Sequence, residues 1–209
     1  MLTNLAYAGG GTNTYSDVIN QGTGTPGTPG TLNNGTADSV TTYNLAKYYV
    51  HSAANPTIDP TPPSTDNTGG GSGAGRQYGY LYNYCAAMGG QNTAACSSAS
   101  TPAPIPTTNI CPAGWRLPTG GTGGEFEGLN TAINGGLTNT DAGLRTNGLF
   151  QRSGYWINGF GSQGSNGYYW SSSQYSILDA RVLVFDSTYV SPANGGGKSY
   201  GFSVRCIAL

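Results

Sequence analysis

The sequence predicts an α+β domain of short strands, one or two helices and long irregular loops, tied together by disulfides. Three observations carry that prediction. Charged residues make up 8% of the chain, against about 25% in a typical domain, whereas aromatics reach 11% and glycine fills 35 of 209 positions. A disordered chain is usually highly charged and poor in aromatics, so this composition fits a folded, loop-rich domain with a surface of Tyr, Ser, Asn and Gly. Four cysteines, Cys85, Cys96, Cys111 and Cys206, form an even set with no Cys-x-x-Cys pair. One stretch has a helical period, and a longer one, from Gly154 onward, is aromatic, glycine-rich and strand-like.

In chain order, residues 1–20 offer a short apolar alternation (Leu2, Leu5, Tyr7) and a turn at Gly9-Gly10-Gly11. Residues 23–35 are turn and linker chemistry without periodicity. Val40 to Val50 returns to β-branched and aromatic residues and reads as a strand. Residues 55–75 carry Pro56, Pro60, Pro62 and Pro63 before a Gly/Ser run and form a long loop. Residues 1–54 hold too little apolar surface for their own core, so both loops are insertions within a single domain spanning 1–209.

Arg76 to Met88 places Tyr78, Tyr80, Tyr82 and Tyr84 on one face by strict alternation. Two readings fit: a sugar-stacking platform, or a half-buried strand face with hydroxyls reaching solvent. Ser97 to Thr108 is a Ser/Pro/Thr loop. Phe126, Leu129 and Ile133 then follow helical spacing, with Glu125 and Glu127 in the first turn, where the helix dipole favours anions. Thr140 to Leu144 suits one further short turn.

The C-terminal region, 167–209, holds the strand Arg181-Val182-Leu183-Val184-Phe185-Asp186. If Leu183 and Phe185 point inward, Val182, Val184 and Asp186 point outward with Arg181 beside them, as at a binding surface. The other reading buries the strand on both faces. Tyr155, Trp156 and Phe160 either extend that surface or pack the core.

Composition and charge exclude several functions. The formal net charge is −1 with no basic block, so nucleic acid has no cationic footprint and an anionic membrane no polybasic signal. No stretch approaches eighteen apolar residues, so no direct membrane span is expected. Met1-Leu2-Thr3-Asn4 lacks a basic segment and an apolar core, which places any export signal or anchor upstream of this sequence. Of the three possible cysteine pairings, the favoured one joins Cys85 to Cys96, closing a short Gly/Ala/Asn loop, and Cys111 to Cys206, tying mid-chain to the C-terminus. Disulfides would place the chain outside the reducing cytosol, whereas buried free thiols are the alternative.

Catalytic constellations are scarce. His51 is the one histidine, which leaves a Ser-His-Asp arrangement a single base and makes a Cys/His metal site improbable. Glu125 and Glu127 are two apart on a helix and diverge. Gly69-Gly70-Gly71-Ser72-Gly73 has no strand feeding it and no Lys-Ser/Thr after it, and Asp17, Asp38, Asp59 and Asp66 lack calcium-loop spacing. The expectation is no enzyme, no cofactor and no metal.

Three segments taken together, Cys111-Pro112-Ala113-Gly114-Trp115-Arg116-Leu117-Pro118-Thr119, Gly167-Tyr168-Tyr169-Trp170-Ser171-Ser172-Ser173 and Gly201-Phe202-Ser203-Val204-Arg205-Cys206, resemble a known family. It is the Fibrobacter succinogenes major paralogous domain, of C-type-lectin-like fold and related to the formylglycine-generating-enzyme fold. Leu2-Thr3-Asn4-Leu5 and Tyr78-Gly79-Tyr80-Leu81-Tyr82-Asn83-Tyr84 agree, so the resemblance covers almost the whole chain. It implies short antiparallel sheets, long loops and disulfide ties. The Glu-Pro-Asn, Gln-Pro-Asp and Trp-Asn-Asp tripeptides of calcium-dependent lectins are absent, and the cysteines are accounted for by disulfides, so calcium-mediated sugar binding and formylglycine chemistry are not expected.

Gly/Asn/Thr-rich members of this kind are similar to the variable proteins of diversity-generating retroelements, in which adenine-directed mutation rewrites the C-terminal coding region. The resemblance implies an exported, surface-displayed binding protein. Its diversified positions would be Gln174, Leu178, Asp179, Arg181, Val182, Val184, Tyr189, Ser191, Gly195, Gly196, Ser199 and Tyr200. Trp170, Leu183, Phe185, Phe202, Val204 and Cys206 would be constant frame. The expected partner is a protein or other surface ligand on another cell, a virus or a host. The alternatives are an invariant adhesion or carbohydrate-binding module of the same fold and, less supported by the residues, a carbohydrate-active enzyme.

Overall fold

The computed structural model describes residues 48–49, 81–88, 109–111, 114–146, 149–157 and 160–208. Outside them lie the expected insertions 23–35 and 55–75, the N-terminal alternation, Tyr78, Tyr80, His51, Cys96 and all of the Val40–Val50 strand except 48–49. Among the described residues nine short strands and three helices follow in order: β1 (Tyr48–Tyr49), β2 (Leu81–Tyr82), α1 (Tyr84–Ala87), β3 (Trp115–Arg116), α2 (Glu125–Asn134), α3 (Ala142–Arg145), β4 (Tyr155–Trp156), β5 (Phe160–Gly161), β6 (Gly167–Gln174), β7 (Asp179–Phe185), β8 (Val190–Gly197) and β9 (Ile207–Ala208). The pairings between these strands are antiparallel: β1 with β2, β3 with β9, β4 with β5, and a three-stranded sheet β6-β7-β8. The described residues thus form an α+β structure of small antiparallel sheets and few helices with a disulfide tie.

From Val182 to Phe185 the central strand β7 is buried on both faces. Side chains alternate along a strand, so Ala180, Val182 and Val184 join Tyr82, Tyr84, Trp170, Phe202 and Val204 on one side. Leu183 and Phe185 join Tyr169, Val190, Phe126, Phe150 and Leu144 on the other. A strand covered on both sides reads as a continuous apolar run, which is why its sequence left two readings open. The outward orientation expected for Val182 and Val184 is therefore corrected: both are buried, and such burial contributes about 1.5 to 3 kcal/mol per valine. By the same alternation Arg181 shares the face of Leu183 and Phe185.

Trp170 locks the first core. Its indole Nε1 donates to the Tyr82 carbonyl at 2.6 Å, and its ring meets Tyr84 edge-on at 5.2 Å and Phe202 at 4.6 Å. The tyrosine alternation breaks at Asn83, whose Oδ1 accepts from the Ala86 N–H at 3.0 Å and caps α1. Tyr82 and Tyr84 are wholly buried, and the Tyr84 hydroxyl donates to the Ser172 carbonyl at 2.9 Å, inside the protein rather than toward solvent. Neither tyrosine is a stacking platform.

The predicted helix forms as α2, with Phe126 buried and Leu129 and Ile133 packed against the second core. It ends at Gly135, in the left-handed region with φ of 63°, where a side chain would be strained. Asn134 then clamps the exit: its Nδ2 donates to the Thr140 carbonyl at 2.7 Å and its Oδ1 accepts from Gly143 N–H at 2.8 Å, which starts α3. The expected short turn at Thr140 to Leu144 is this helix, with Leu144 buried.

The segment Gly201-Phe202-Ser203 joins the pieces. Phe202 bridges Tyr82, Gly201 bridges Trp156 and Ser203 bridges Tyr169. Just beyond it, Cys206 is bonded to Cys111 across 95 residues, as expected, worth about 4 to 5 kcal/mol by loop-closure entropy. Cys85 is also disulfide-bonded, and its expected partner Cys96 lies outside the described residues. The expected frame residues Trp170, Leu183, Phe185, Phe202, Val204 and Cys206 are all buried. No helix among the described residues is long and apolar enough to cross a membrane.

Candidate functional site: an open recess on the C-terminal sheet

The face of β7 that buries Leu183 and Phe185 under α2 is open at its other end, around Asp179 and Arg181. The β6–β7 connection there, residues 175–178, is shaped by Ser176. Its Oγ donates to Asp179 Oδ2 at 2.8 Å and accepts from the N–H groups of Leu178 and Asp179 at 3.1 and 2.9 Å. Tyr175 and Ser176 both donate backbone N–H to the Asp179 carbonyl at 3.0 Å, which closes the loop. The turn leaves Tyr175, Ile177 and Leu178 exposed.

Arg181 is fixed from three sides. Its Cζ lies 3.8 Å from the centroid of the Tyr175 ring, a close cation–π contact. Its Nη1 donates to the Ala193 carbonyl at 2.7 Å. Its stem runs beneath the Gly120–Gly121 turn, where a Cβ on Gly120 would stand 2.8 Å from Arg181 Cβ and 2.5 Å from Ser171 Oγ. Glycine is required there for that close approach.

That turn is held by the Trp115-to-Thr119 motif. Arg116 binds the Glu125 carboxylate with both arms of its guanidinium, Nη1 at 2.6 Å from Oε2. Glu125 Oε2 accepts from Thr119 N–H at 2.9 Å, while Thr119 Oγ1 accepts from Glu125 N–H at 3.0 Å. Hydrogen bonding from Arg116 lowers the Glu125 carboxyl from its ordinary 4.5 to about 2. Ser172 N–H donates to the Pro118 carbonyl at 2.8 Å and Gly120 N–H to Ser173 Oγ at 3.1 Å, which ties the motif to an irregular stretch of β6 between Trp170 and Gln174. Glu127 accepts from Gly123 N–H instead, so the two glutamates diverge as expected.

Across from Arg181, β8 carries a bulge between the partners of Val182 and Val184, where Pro192 and Ala193 face Leu183. An edge strand at a bulge tolerates proline, which has no N–H to donate to the ladder. The result is an open recess of about 430 Å³ lined by Tyr175, Asp179, Arg181, Tyr189, Ser191, Ala193, Asn194 and Gly195.

Of the twelve sequence-predicted positions, Asp179, Arg181, Tyr189, Ser191 and Gly195 meet in this recess, and Leu178 is exposed on the adjoining loop. Gln174 sits at the end of β6, its Oε1 accepting from Lys198 Nζ at 3.0 Å. Lys198 is 1% exposed, and desolvation holds its ammonium below the usual lysine range against the opposing pull of Asp179. Tyr200 is half-buried, edge-on to Phe202 at 6.0 Å. Val182, Val184, Gly196 and Ser199 are buried away from solvent. A Cβ on Gly196 would stand 2.5 Å from the Phe202 ring.

The sequence reading missed Tyr175, Ala193 and Asn194. Tyr175 and Asn194 adjoin predicted positions and belong to the residue types expected at a diversified surface, which was the available signal. Ala193 contributes through its carbonyl, which no residue pattern reports. Trp156 packs against Leu81 in the core, and Tyr155 is half-buried against Tyr168, 5.4 Å between ring centroids. Among the described residues no three His, Cys, Asp or Glu side chains group to hold a metal.

The described residues thus form a disulfide-tied α+β structure with an aromatic-rimmed, polar recess on one sheet. No protein-family model matches the chain, and neither does any curated protein or solved structure.

Proposed function

We propose that this protein is an exported, surface-displayed binding domain of C-type-lectin-like fold, its C-terminal face diversified by a retroelement to recognise varied protein ligands. One observation carries the binding role. The exposed large hydrophobic residues among those described are Leu137, Tyr175, Ile177, Leu178 and Tyr189, and all but Leu137 lie on the β6–β7 loop or the recess rim. Such residues gathered around a polar recess are what a protein-recognition surface presents, with tyrosine giving contact area at low entropic cost. The Cys111–Cys206 disulfide is compatible with display outside the cell. The family and the diversification rest on the motif resemblance.

An invariant adhesion or carbohydrate-binding module of the same fold is the second reading, favoured by the two tyrosines beside polar groups in the recess. Sequencing the locus and its flanks across many cells of the source population separates the two. Substitutions confined to the recess and its loop, traceable to adenines in a nearby near-copy, are the expected result. A uniform C-terminus without a template would leave the invariant module.

A further inference from the structure

Resting on the protein-binding reading, we infer that this variant anchors its ligand through a carboxylate, an Asp or Glu side chain of the partner that docks on the Arg181 guanidinium. Arg181 is immobilised but not neutralised. Of its five N–H donors, one is used on Ala193 O, and no other hydrogen bond or ion pair engages the head among the described residues. Asp179, two residues along the same strand face, is turned to Ser176 and makes no ion pair with it. A guanidinium pre-set by Tyr175, the Ala193 carbonyl and the Gly120–Gly121 turn loses little side-chain freedom on binding. Its planar fork matches a carboxylate in two parallel charge-assisted hydrogen bonds. Tyr189, Ser191 and Asn194 around it supply hydroxyl and amide groups for the backbone flanking that acid, while Ile177 and Leu178 offer apolar contact beside it.

The test is a double-mutant cycle on peptides obtained by panning a random-peptide display library against the whole chain. The expected peptides shift the resonances of Tyr175 and Tyr189 and share one Asp or Glu. Replacing that acid with its amide weakens binding about tenfold or more, Arg181→Gln weakens the acidic peptide equally, and the amide peptide does not distinguish the two proteins. Arg181→Lys restores part of the loss. Peptides that bind this face without a shared acid, or losses that simply add, would overturn the carboxylate anchor and leave the binding face standing. Failure to enrich any peptide that binds this face would overturn both. Should Arg181→Gln fail to fold, the unaltered chain decides: acetylated, amidated glutamate must shift the Arg181 Nε–H resonance saturably, and its glutamine counterpart must not.

Discussion

The two halves of β7 obey the same alternation and have opposite fates. From Val182 to Phe185 every side chain is buried, Val182 and Val184 against Trp170 and Phe202, Leu183 and Phe185 against Phe126 and Tyr169. At Asp179 and Arg181 the same strand opens to a recess. The residues do not change face; their cover changes. Helix α2 covers the Leu183 and Phe185 end, and at the Arg181 end two glycines replace it. A strand thus becomes a scaffold or a surface according to what lies over it, two residues apart.

The difference can be broken most forcefully at the buried half. Val182→Asn places an amide without partners between Trp170 and Phe202 and should cost about 3 to 5 kcal/mol, combining lost burial with an unsatisfied polar group. Urea unfolding would show the midpoint collapse, and a shift as small as that of a surface change would contradict the two-sided burial. Gly196→Ala comes next, at about 1 to 3 kcal/mol, because its Cβ meets the Phe202 ring. The same unfolding curves measure it.

Arg116→Ala sits between scaffold and surface. It frees Glu125, slackens Thr119 and so loosens the turn over Arg181, at about 1 to 2 kcal/mol. The pH dependence has a definite sign. Because the folded Glu125 titrates at about 2 rather than 4.5, its contribution is full above its ordinary value and is lost as pH falls toward 2. Thermal melts of Glu125→Gln should therefore fall below those of the parent at pH 6, with the gap closing toward pH 2. A constant gap would refute the linkage. Smallest of all, Leu178→Asp and Ser191→Asn at the recess should each move stability by no more than about 0.5 kcal/mol. Large losses there would mean that the recess is part of the scaffold.

Helix α2 was legible because a helix with one wet face writes its period into the sequence, as Phe126, Leu129 and Ile133 do. The Cys111–Cys206 tie followed from an even cysteine count and the span it closes. Val182 and Val184 were not legible, since alternation separates two faces without saying what covers either. Tyr84 misled because Asn83 ends a strand and starts a helix within one residue, a step that leaves the tyrosine spacing untouched. Recess residues Asp179, Arg181, Tyr189, Ser191 and Gly195 were found from pattern and resemblance. Tyr175 became a partner only through a hairpin turn that Ser176 and Asp179 close by their own hydrogen bonds, and Ala193 through a backbone oxygen turned by a bulge.

The bridging role of Gly201, Phe202 and Ser203 has a consequence for how the chain is made. Three separate segments, at Tyr82, Trp156 and Tyr169, wait on residues synthesised after all of them, and Cys111 waits on Cys206. Vectorial synthesis therefore cannot complete the fold piece by piece from the N-terminus. A reading-frame error anywhere between Gly167 and Gly197 also rewrites residues 201–206, so it removes the contacts that close the fold together with the recess residues.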